Sequence, residues 1–296
     1  MGCYSMSIQR RERSATLIYP YIHMLICPIC HQTMTTVSPH SIHCSSKHTF
    51  DLARQGYVNF MTRFFKGNYD KRLFLAKRNI LSQTAIYTPL TEVIRHWIEG
   101  YSNSKSQPLH ILDAGAGEGS LLQQITQNTS SVGWGIDIAK EGITMASSTY
   151  DQQVWFVGDL AHSPFAEGQL DVILNILSPS NYEEFGRVMK KDGWIIKVIP
   201  RKQYLMEMRE LLFRGRSHQL DGREHVLDRF TKHHYLIDSI PLTYTLPVTK
   251  VMMDSLIHMT PLAWHGKESA IASVQETLTQ ITIDLEILVG KRRYAL

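Results

Sequence analysis

Four side chains able to bind a metal fall in one short stretch, Cys27-x2-Cys30-x13-Cys44-x3-His48, in a chain with only four cysteines. Two closely spaced ligand pairs on separate turns suit tetrahedral Zn2+. A segment this small buries too little apolar surface to hold itself together without such a staple. Three thiolates and an imidazole would fill every coordination position, so the predicted role is structural rather than catalytic. A thioredoxin-like redox pair needs a strand–helix–strand setting, and none surrounds Cys27. His31, His40 and His43 are close enough in sequence to replace His48 as the fourth ligand.

A second chemical motif lies at Ile111–Ser120, ILDAGAGEGS: a strand, a glycine-rich turn and the start of a helix. Gly115, Gly117 and Gly119 let the backbone approach a ligand closely. The dinucleotide fingerprint G-x-G-x-x-G fails, because Ser120 stands at its third position. The pattern D-x-G-x-G-x-G resembles instead the loop of class I S-adenosylmethionine-dependent methyltransferases. On that likeness Asp113 helps hold the turn and the methionine end of the cofactor. Asp137, closing the next strand in GWGIDIAK, takes the ribose hydroxyls. Asp159 in FVGDL stands where such enzymes contact adenine; capping of the following turn is the competing role.

The elements that must position these groups alternate. HILDAG, VGWGIDI, VWFVGD, LDVILNIL and WIIKVIP read as short buried strands, with EGSLLQQITQ and NYEEFGRVMKK as helices between them, the latter stopped by KDG. A helix over 203–213 and a final strand, ITIDLEILVGKRR, complete the pattern. The predicted fold is α/β: a Rossmann-like, mostly parallel seven-stranded sheet of the class I methyltransferase kind, with a small N-terminal zinc-binding module. The predicted organisation is an extension over 1–24, a zinc-binding RNA-recognition module over 25–62, a helical basic connector over 63–107 and the methyltransferase domain over 108–296. The extension reads as frayed, or as a start codon set too early with Met24 the true beginning. It has no cleavage site for a signal peptide, and Met6 breaks the myristoylation pattern.

Composition adds bounds. The apolar fraction of 43% and net charge of +4 are those of an ordinary globular protein able to meet an anionic partner. No apolar run approaches the ~18 residues that span a bilayer. The sparse cysteines fit a reduced, cytoplasmic setting.

With both motifs placed, the chain from Leu25 onward resembles the bacterial 23S rRNA (guanine-N1)-methyltransferases of the RlmA type. The likeness is carried by the metal pattern, KHTFDLARQGYVNF (Lys47–Phe60), YTPL (Tyr87–Leu90), GWIIKVIP followed by YLMEMREL, and MTPLAW (Met259–Trp264), in that order. It implies zinc on Cys27, Cys30, Cys44 and His48, and cofactor contacts from Tyr87, Gly117, Glu118 and Tyr204. It further implies a homodimer, a guanine in a 23S rRNA hairpin loop near the peptide exit tunnel as target, and in some branches resistance to macrolides such as tylosin.

Guanine N1 is hidden in any base pair, so the enzyme must take a loop nucleotide or extrude one. Residues 61–78 interleave Phe64, Phe65, Tyr69 and Phe74 with Arg63, Lys66, Lys71, Arg72, Lys77 and Arg78, the mixture that single-stranded RNA grooves use. An ordinary helix with a solvated basic face is the plainer alternative. In this fold the target base lies beyond the fourth strand, where Asn175 or the backbone around Ser178–Pro179 is the candidate to meet the base edge; loop capping is the competing role of Asn175. No general base stands out, and the histidines in RSHQLDGREHV fit a surface connection. The competing function is methylation of a small molecule or protein, with zinc serving stability alone.

Overall fold

The protein is described by a computed structural model covering residues 2–63, 67, 69–103, 105–213, 223–260 and 268–293. Its centre is an eight-stranded sheet. Five strands continue one another in parallel across the middle: β5 (Leu109–Ala114), β6 (Ser131–Asp137), β7 (Val154–Val157), β8 (Leu170–Ile176) and β9 (Met189–Pro200). β11 (Gln280–Arg292) joins β9 antiparallel, and β10 (His234–Pro247) closes that edge against β11. At the opposite edge β4 (Tyr57–Asn59) runs parallel to β7, giving the order β10-β11-β9-β8-β5-β6-β7-β4.

This topology corrects the expectation of seven strands, because the eighth comes from a segment assigned to the zinc module. β4 can join only because its residues alternate into the two cores: Tyr57 packs on one face of the sheet and Val58 on the other. The central strands do the same. Ile111, Val172, Leu174 and Ile196 face one apolar cluster, and Leu112, Ile173 and Ile195 the other. Burial on both faces is why these strands read as unbroken apolar runs.

One face is covered by α2 (Lys71–Gln83), α3 (Thr88–Ser102), α4 (Ser120–Thr126), α5 (Lys140–Thr149), α7 (Met206–Leu212), α9 (Lys250–Met259) and α10 (Glu268–Thr277). Asp70 caps α2 by accepting from the Leu73 amide at 2.8 Å, and Leu73, Phe74, Ala76, Ile80 and Leu81 form its buried stripe. The two helices of the predicted connector, α2 and α3, therefore belong to this layer. The other face carries α6 (Tyr182–Val188), α8 (Arg223–His233) and the N-terminal module.

That module is a three-stranded antiparallel sheet, β1 (Met34–Val37), β2 (Ser41–Cys44) and β3 (Thr49–Asp51). Met34, Ile42 and Phe50 share one apolar cluster with Trp134, Phe156 and Phe165 of the large domain. The segment 1–24 departs from its predicted role as a frayed extension. It forms α1 (Gly2–Ile18) and a 3-10 turn (Tyr19–Met24), with Ile18 and Met24 buried in that same cluster. The Ser14 hydroxyl donates to the Gly56 carbonyl at 2.6 Å, and Tyr21 meets His110 edge-on at 4.6 Å. The basic run RRER conceals these contacts in the sequence, since it shares a helix with the residues that pack.

Two further departures have local causes. The predicted helix over NYEEFGRVMKK ends at Val188, because Met189 already pairs with Leu170. The register then jumps to Val172 opposite Trp194, so the KDG turn bulges within β9 instead of preceding it. The unpredicted strand β10 contains Pro241 and Pro247, which normally argue against a strand but are tolerated at a sheet edge. Among the described residues no helix is long and apolar enough to cross a membrane.

Candidate cofactor and metal sites

The ligand atoms of Cys27, Cys30, Cys44 and His48 all lie within 4.8 Å of one another. His48 Nδ1 stands 3.6, 3.3 and 3.5 Å from the three sulfurs, and Cys30 Sγ is 3.7 Å from Cys44 Sγ. Zinc–sulfur bonds of ~2.3 Å and a zinc–nitrogen bond of ~2.0 Å at tetrahedral angles give edges of roughly 3.5–3.8 Å, so the four residues fit the ion as they stand. The fourth ligand is also decided. His43 bonds Ser41 and Thr49, at 2.8 and 3.0 Å, and His40 meets Arg11 at 3.4 Å. Left-handed backbone at His31 and Lys47 turns each ligand pair back on itself.

The glycine turn leaves β5 at the carboxyl end of the sheet. Gly115 and Ala116 both donate to the Ile136 carbonyl, at 2.9 and 3.1 Å, which pins the turn to β6. Gly115 has φ +93°, and a Cβ there would stand 2.7 Å from Ser178 Cβ in the loop after β8. Gly117, φ +57°, lies under α2: its Cβ would meet Lys77 Nζ at 3.0 Å and Phe74 at 3.6 Å. The turn is thus closed over by protein on two sides.

Three carboxylates ring it. Asp137 accepts from the Gly117 amide and from the Ala139 amide, both at 2.8 Å; burial pushes its carboxyl up, and these bonds work the other way. Asp113, 3% exposed, is raised by burial to about 7, with Lys77 opposing the shift. It has no hydrogen-bond or ion-pair partner among the described residues. Glu118 is turned away: its carboxylate takes Arg78 at 3.1 Å and the Ser120 amide and hydroxyl at 3.1 and 2.8 Å. The Glu118 carboxylate is therefore held within the protein.

Tyr87 and Tyr204 come together across the fold, their hydroxyls 2.5 Å apart, and burial raises both phenols above their usual range. Asp159 accepts from the Ala161 amide at 2.8 Å in the turn after β7, which is the capping role. Beside Ile138 and Ala139, the residues after Asp137, a cavity of about 490 Å³ opens, lined also by Arg63 and Tyr69. A larger one, about 730 Å³ near Trp97 and Trp194, contains none of the predicted site residues.

Two groups of predicted residues need correction. Asn175 is fully buried, and its amide bonds the Ala114 and Pro179 carbonyls at 3.1 and 2.9 Å and Ser178 Oγ at 2.6 Å. Its oxygen takes Ser180 Oγ at 2.7 Å and Lys197 Nζ at 2.6 Å, so nothing is left to read a base edge. Of the basic residues, Lys71, Arg72 and Arg63 are exposed, but Lys77 faces the turn and Arg78 is bound to Glu118 and to the Met145 carbonyl at 3.0 Å. Phe74 is buried with them. Lys66, Phe64 and Phe65 lie outside the described residues, as do most of MTPLAW and of RSHQLDGREHV.

Sequence reasoning missed Lys197. It donates to Asn175 Oδ1 and to the Ser178 carbonyl, both at 2.6 Å, and burial, with the charge of Arg229, brings its ammonium down to about 8. Its signal was a single lysine inside the apolar strand WIIKVIP. It fastens to β9 the loop that presses on Gly115.

A parallel sheet reversing beside the glycine turn, with strands β9, β11 and β10 closing one edge, defines a class I methyltransferase joined to a Cys3His zinc module. Comparison with known proteins agrees. The family model described as RlmA, N-terminal, matches residues 25–66, and that of a methyltransferase domain matches residues 111–193. A Bacillus subtilis (strain 168) protein provisionally named 23S rRNA (guanine-N(1)-)-methyltransferase YxjB is 36% identical over 275 residues, 91% of this chain and 97% of its own length. The 23S rRNA (guanine(748)-N(1))-methyltransferase of Streptomyces fradiae is 27% identical over 255 residues, 85% of this chain and 89% of its own. The chain belongs to this family of 23S rRNA (guanine-N1)-methyltransferases with an RlmA-type N-terminal zinc ribbon. Among solved structures, a SAM-dependent methyltransferase from Thiobacillus denitrificans in complex with S-adenosyl-L-homocysteine covers 75% of this chain and 97% of its own, with 13% identity and a TM-score of 0.44.

Proposed function

We propose that this protein transfers a methyl group from S-adenosylmethionine to N1 of a guanine in a hairpin loop of 23S rRNA. The observation that carries the reading is the 36% identity that runs through both the zinc module and the catalytic domain, over 91% of the chain. Bound at the glycine turn, the cofactor supplies an electrophilic methyl on a sulfonium, and most of the acceleration then comes from alignment.

The chain's own residues have matching tasks. Asp137 holds the Gly117 amide with one oxygen and would take ribose hydroxyls with its remaining lone pairs. Asp113 is an unpaired buried carboxylate beside the turn, suited to the cationic half of the cofactor. Gly115, Gly117 and Gly119 form the cradle, Asp159 stands at the adenine end, and Tyr87 and Tyr204 form a joined pair of phenols behind it. Lys197, through Asn175 and Ser178, holds the loop that would meet the target base. Zinc on Cys27, Cys30, Cys44 and His48 fixes the module against the domain.

RNA binding is supported by Lys71 and Arg72, two exposed cations in the first turn of α2, where the helix dipole disfavours positive charge and the capping Asp70 is the one nearby acid. An anionic partner would remove that cost. Arg63 and Tyr69, lining the 490 Å³ cavity, add a cation and an aromatic face. The same reading extends to a cytoplasmic homodimer and to protection of ribosomes from tylosin-type macrolides, testable by sedimentation and by drug sensitivity of a deletion strain.

The test is methylation of 23S rRNA with labelled cofactor, read by primer extension, since a methyl on N1 blocks pairing and arrests reverse transcriptase. A stop at one loop guanine is expected. Label incorporated only into free nucleosides, a small molecule or a protein would overturn the RNA assignment, and label at an exocyclic amine would overturn N1.

A further inference from the structure

Around the glycine turn the charges do not balance. Three carboxylates, Asp113, Glu118 and Asp137, gather at one place, and two cations reach them from consecutive positions on α2. Arg78 is spent: it pairs with Glu118, donates to the Met145 carbonyl and lies over the Tyr150 ring at 5.7 Å. Lys77 is not. Its ammonium hangs over Gly117, yet it makes no hydrogen bond or ion pair with any described residue. Phe74, one helical turn earlier, is wedged against the same turn, so that a Cβ on Gly142 would meet both Phe74 and the Gly117 carbonyl at 2.7 Å. The wedge fixes the rotation of α2 and with it the direction in which Lys77 projects.

The half-buried Lys77 ammonium feels Asp113 and Asp137 through space, but with no direct bond its donors remain available to a ligand. S-adenosylmethionine brings three charges: a sulfonium, an α-ammonium and an α-carboxylate. The first two suit the acidic side of the turn. The third needs a cation. Lys197 is unsuitable, because its ammonium is already held by Asn175 and Ser178.

Resting on the cofactor assignment above, we propose that Lys77 is the counter-ion of the cofactor's α-carboxylate, so that α2 forms a wall of the cofactor site. The residue then selects for ligands that carry the amino-acid end, and occupancy of the site fastens α2 over the turn. The exposed Lys71 and Arg72, six and five positions earlier on the same helix, remain on the outside. One helix would thereby present a cofactor ligand inward and basic residues outward, linking cofactor occupancy to the RNA-facing surface.

The test compares two ligands that differ only at that end: S-adenosylhomocysteine, and 5′-methylthioadenosine, which lacks the carboxylate and the ammonium. Binding of each to the full-length zinc-loaded protein is measured by calorimetry for wild type, Lys77→Gln and Lys77→Arg. Lys77→Gln should weaken S-adenosylhomocysteine about tenfold or more, the size of one lost charge-assisted bond. It should change 5′-methylthioadenosine less than about twofold, and Lys77→Arg should restore most of the loss. An unchanged S-adenosylhomocysteine affinity in Lys77→Gln overturns the proposal. So does an equal loss for both ligands, which would mean a displaced α2 instead of a missing charge. Reduced RNA affinity with unchanged cofactor affinity would return Lys77 to the RNA surface. Failure of the wild type itself to bind S-adenosylhomocysteine would instead sink the cofactor assignment on which the proposal stands.

Discussion

The Asp137 carboxylate accepts the Gly117 amide at 2.8 Å across the gap between β6 and the glycine turn. Its second oxygen holds the Ala139 amide at the start of α5, also at 2.8 Å. One side chain at a strand end therefore joins the turn to the following helix before any ligand arrives. Preorganisation of this kind spares the cofactor the cost of ordering the turn.

Asp137→Ala should weaken S-adenosylhomocysteine binding by about 10–100-fold, since it removes both the ribose acceptor and the brace on Gly117. Zinc content, measured by metal analysis, should not change. Cofactor affinity equal to wild type would remove Asp137 from the site.

Asp113 makes a prediction in pH. An unfolded aspartate ionises near 3.9, whereas in the fold burial raises Asp113 to about 7. Between these values the folded state holds the extra proton, so this residue lowers stability as pH rises from about 4 to 7, and the cost is flat above. Asp113→Asn should leave the melting temperature unchanged near pH 4 and raise it by several degrees at pH 8. The same substitution should weaken cofactor binding at pH 8. A stabilised protein with undiminished affinity would mean that the carboxylate has no ligand role.

Arg78→Ala should act on stability rather than on RNA. It strands Glu118, which is 1% exposed, and should cost about 3 kcal/mol in urea unfolding. RNA affinity of the folded variant should match wild type, in contrast to Lys71→Ala with Arg72→Ala, which should reduce it and flatten its salt dependence. The reverse pattern would put Arg78 back on the RNA face.

Cys30→Ser should release zinc and unfold the module. Because Met34, Ile42 and Phe50 share a core with Trp134, Phe156 and Phe165, the melting temperature of the whole protein should also fall by several degrees. Cofactor affinity at 20 °C should stay within about threefold, as the turn is held by β6, α2 and the loop after β8. Equal loss of zinc and of cofactor binding would show one cooperative unit.

The chemistry was legible in the sequence because it is written locally. Cys27-x2-Cys30 and Cys44-x3-His48 are pairs whose reach is set by one turn of chain, and the glycine turn with Asp137 is a strand-end pattern. The five central strands followed from their apolar runs. What remained open depended on which neighbour each side chain meets. Only packing separates Lys71 and Arg72, facing out, from Lys77 and Arg78 a turn and a half later, drawn to Gly117 and Glu118. Likewise Asn175, a polar residue at a strand end, could serve a ligand or a loop until the register of β8 and β9 set Lys197 beside it. The basic N-terminal segment and β4 joined the fold because the sheet offered them an uncovered apolar face and an open edge. Spacing along the chain fixes what a group can bind; contacts between distant segments decide which groups are already bound.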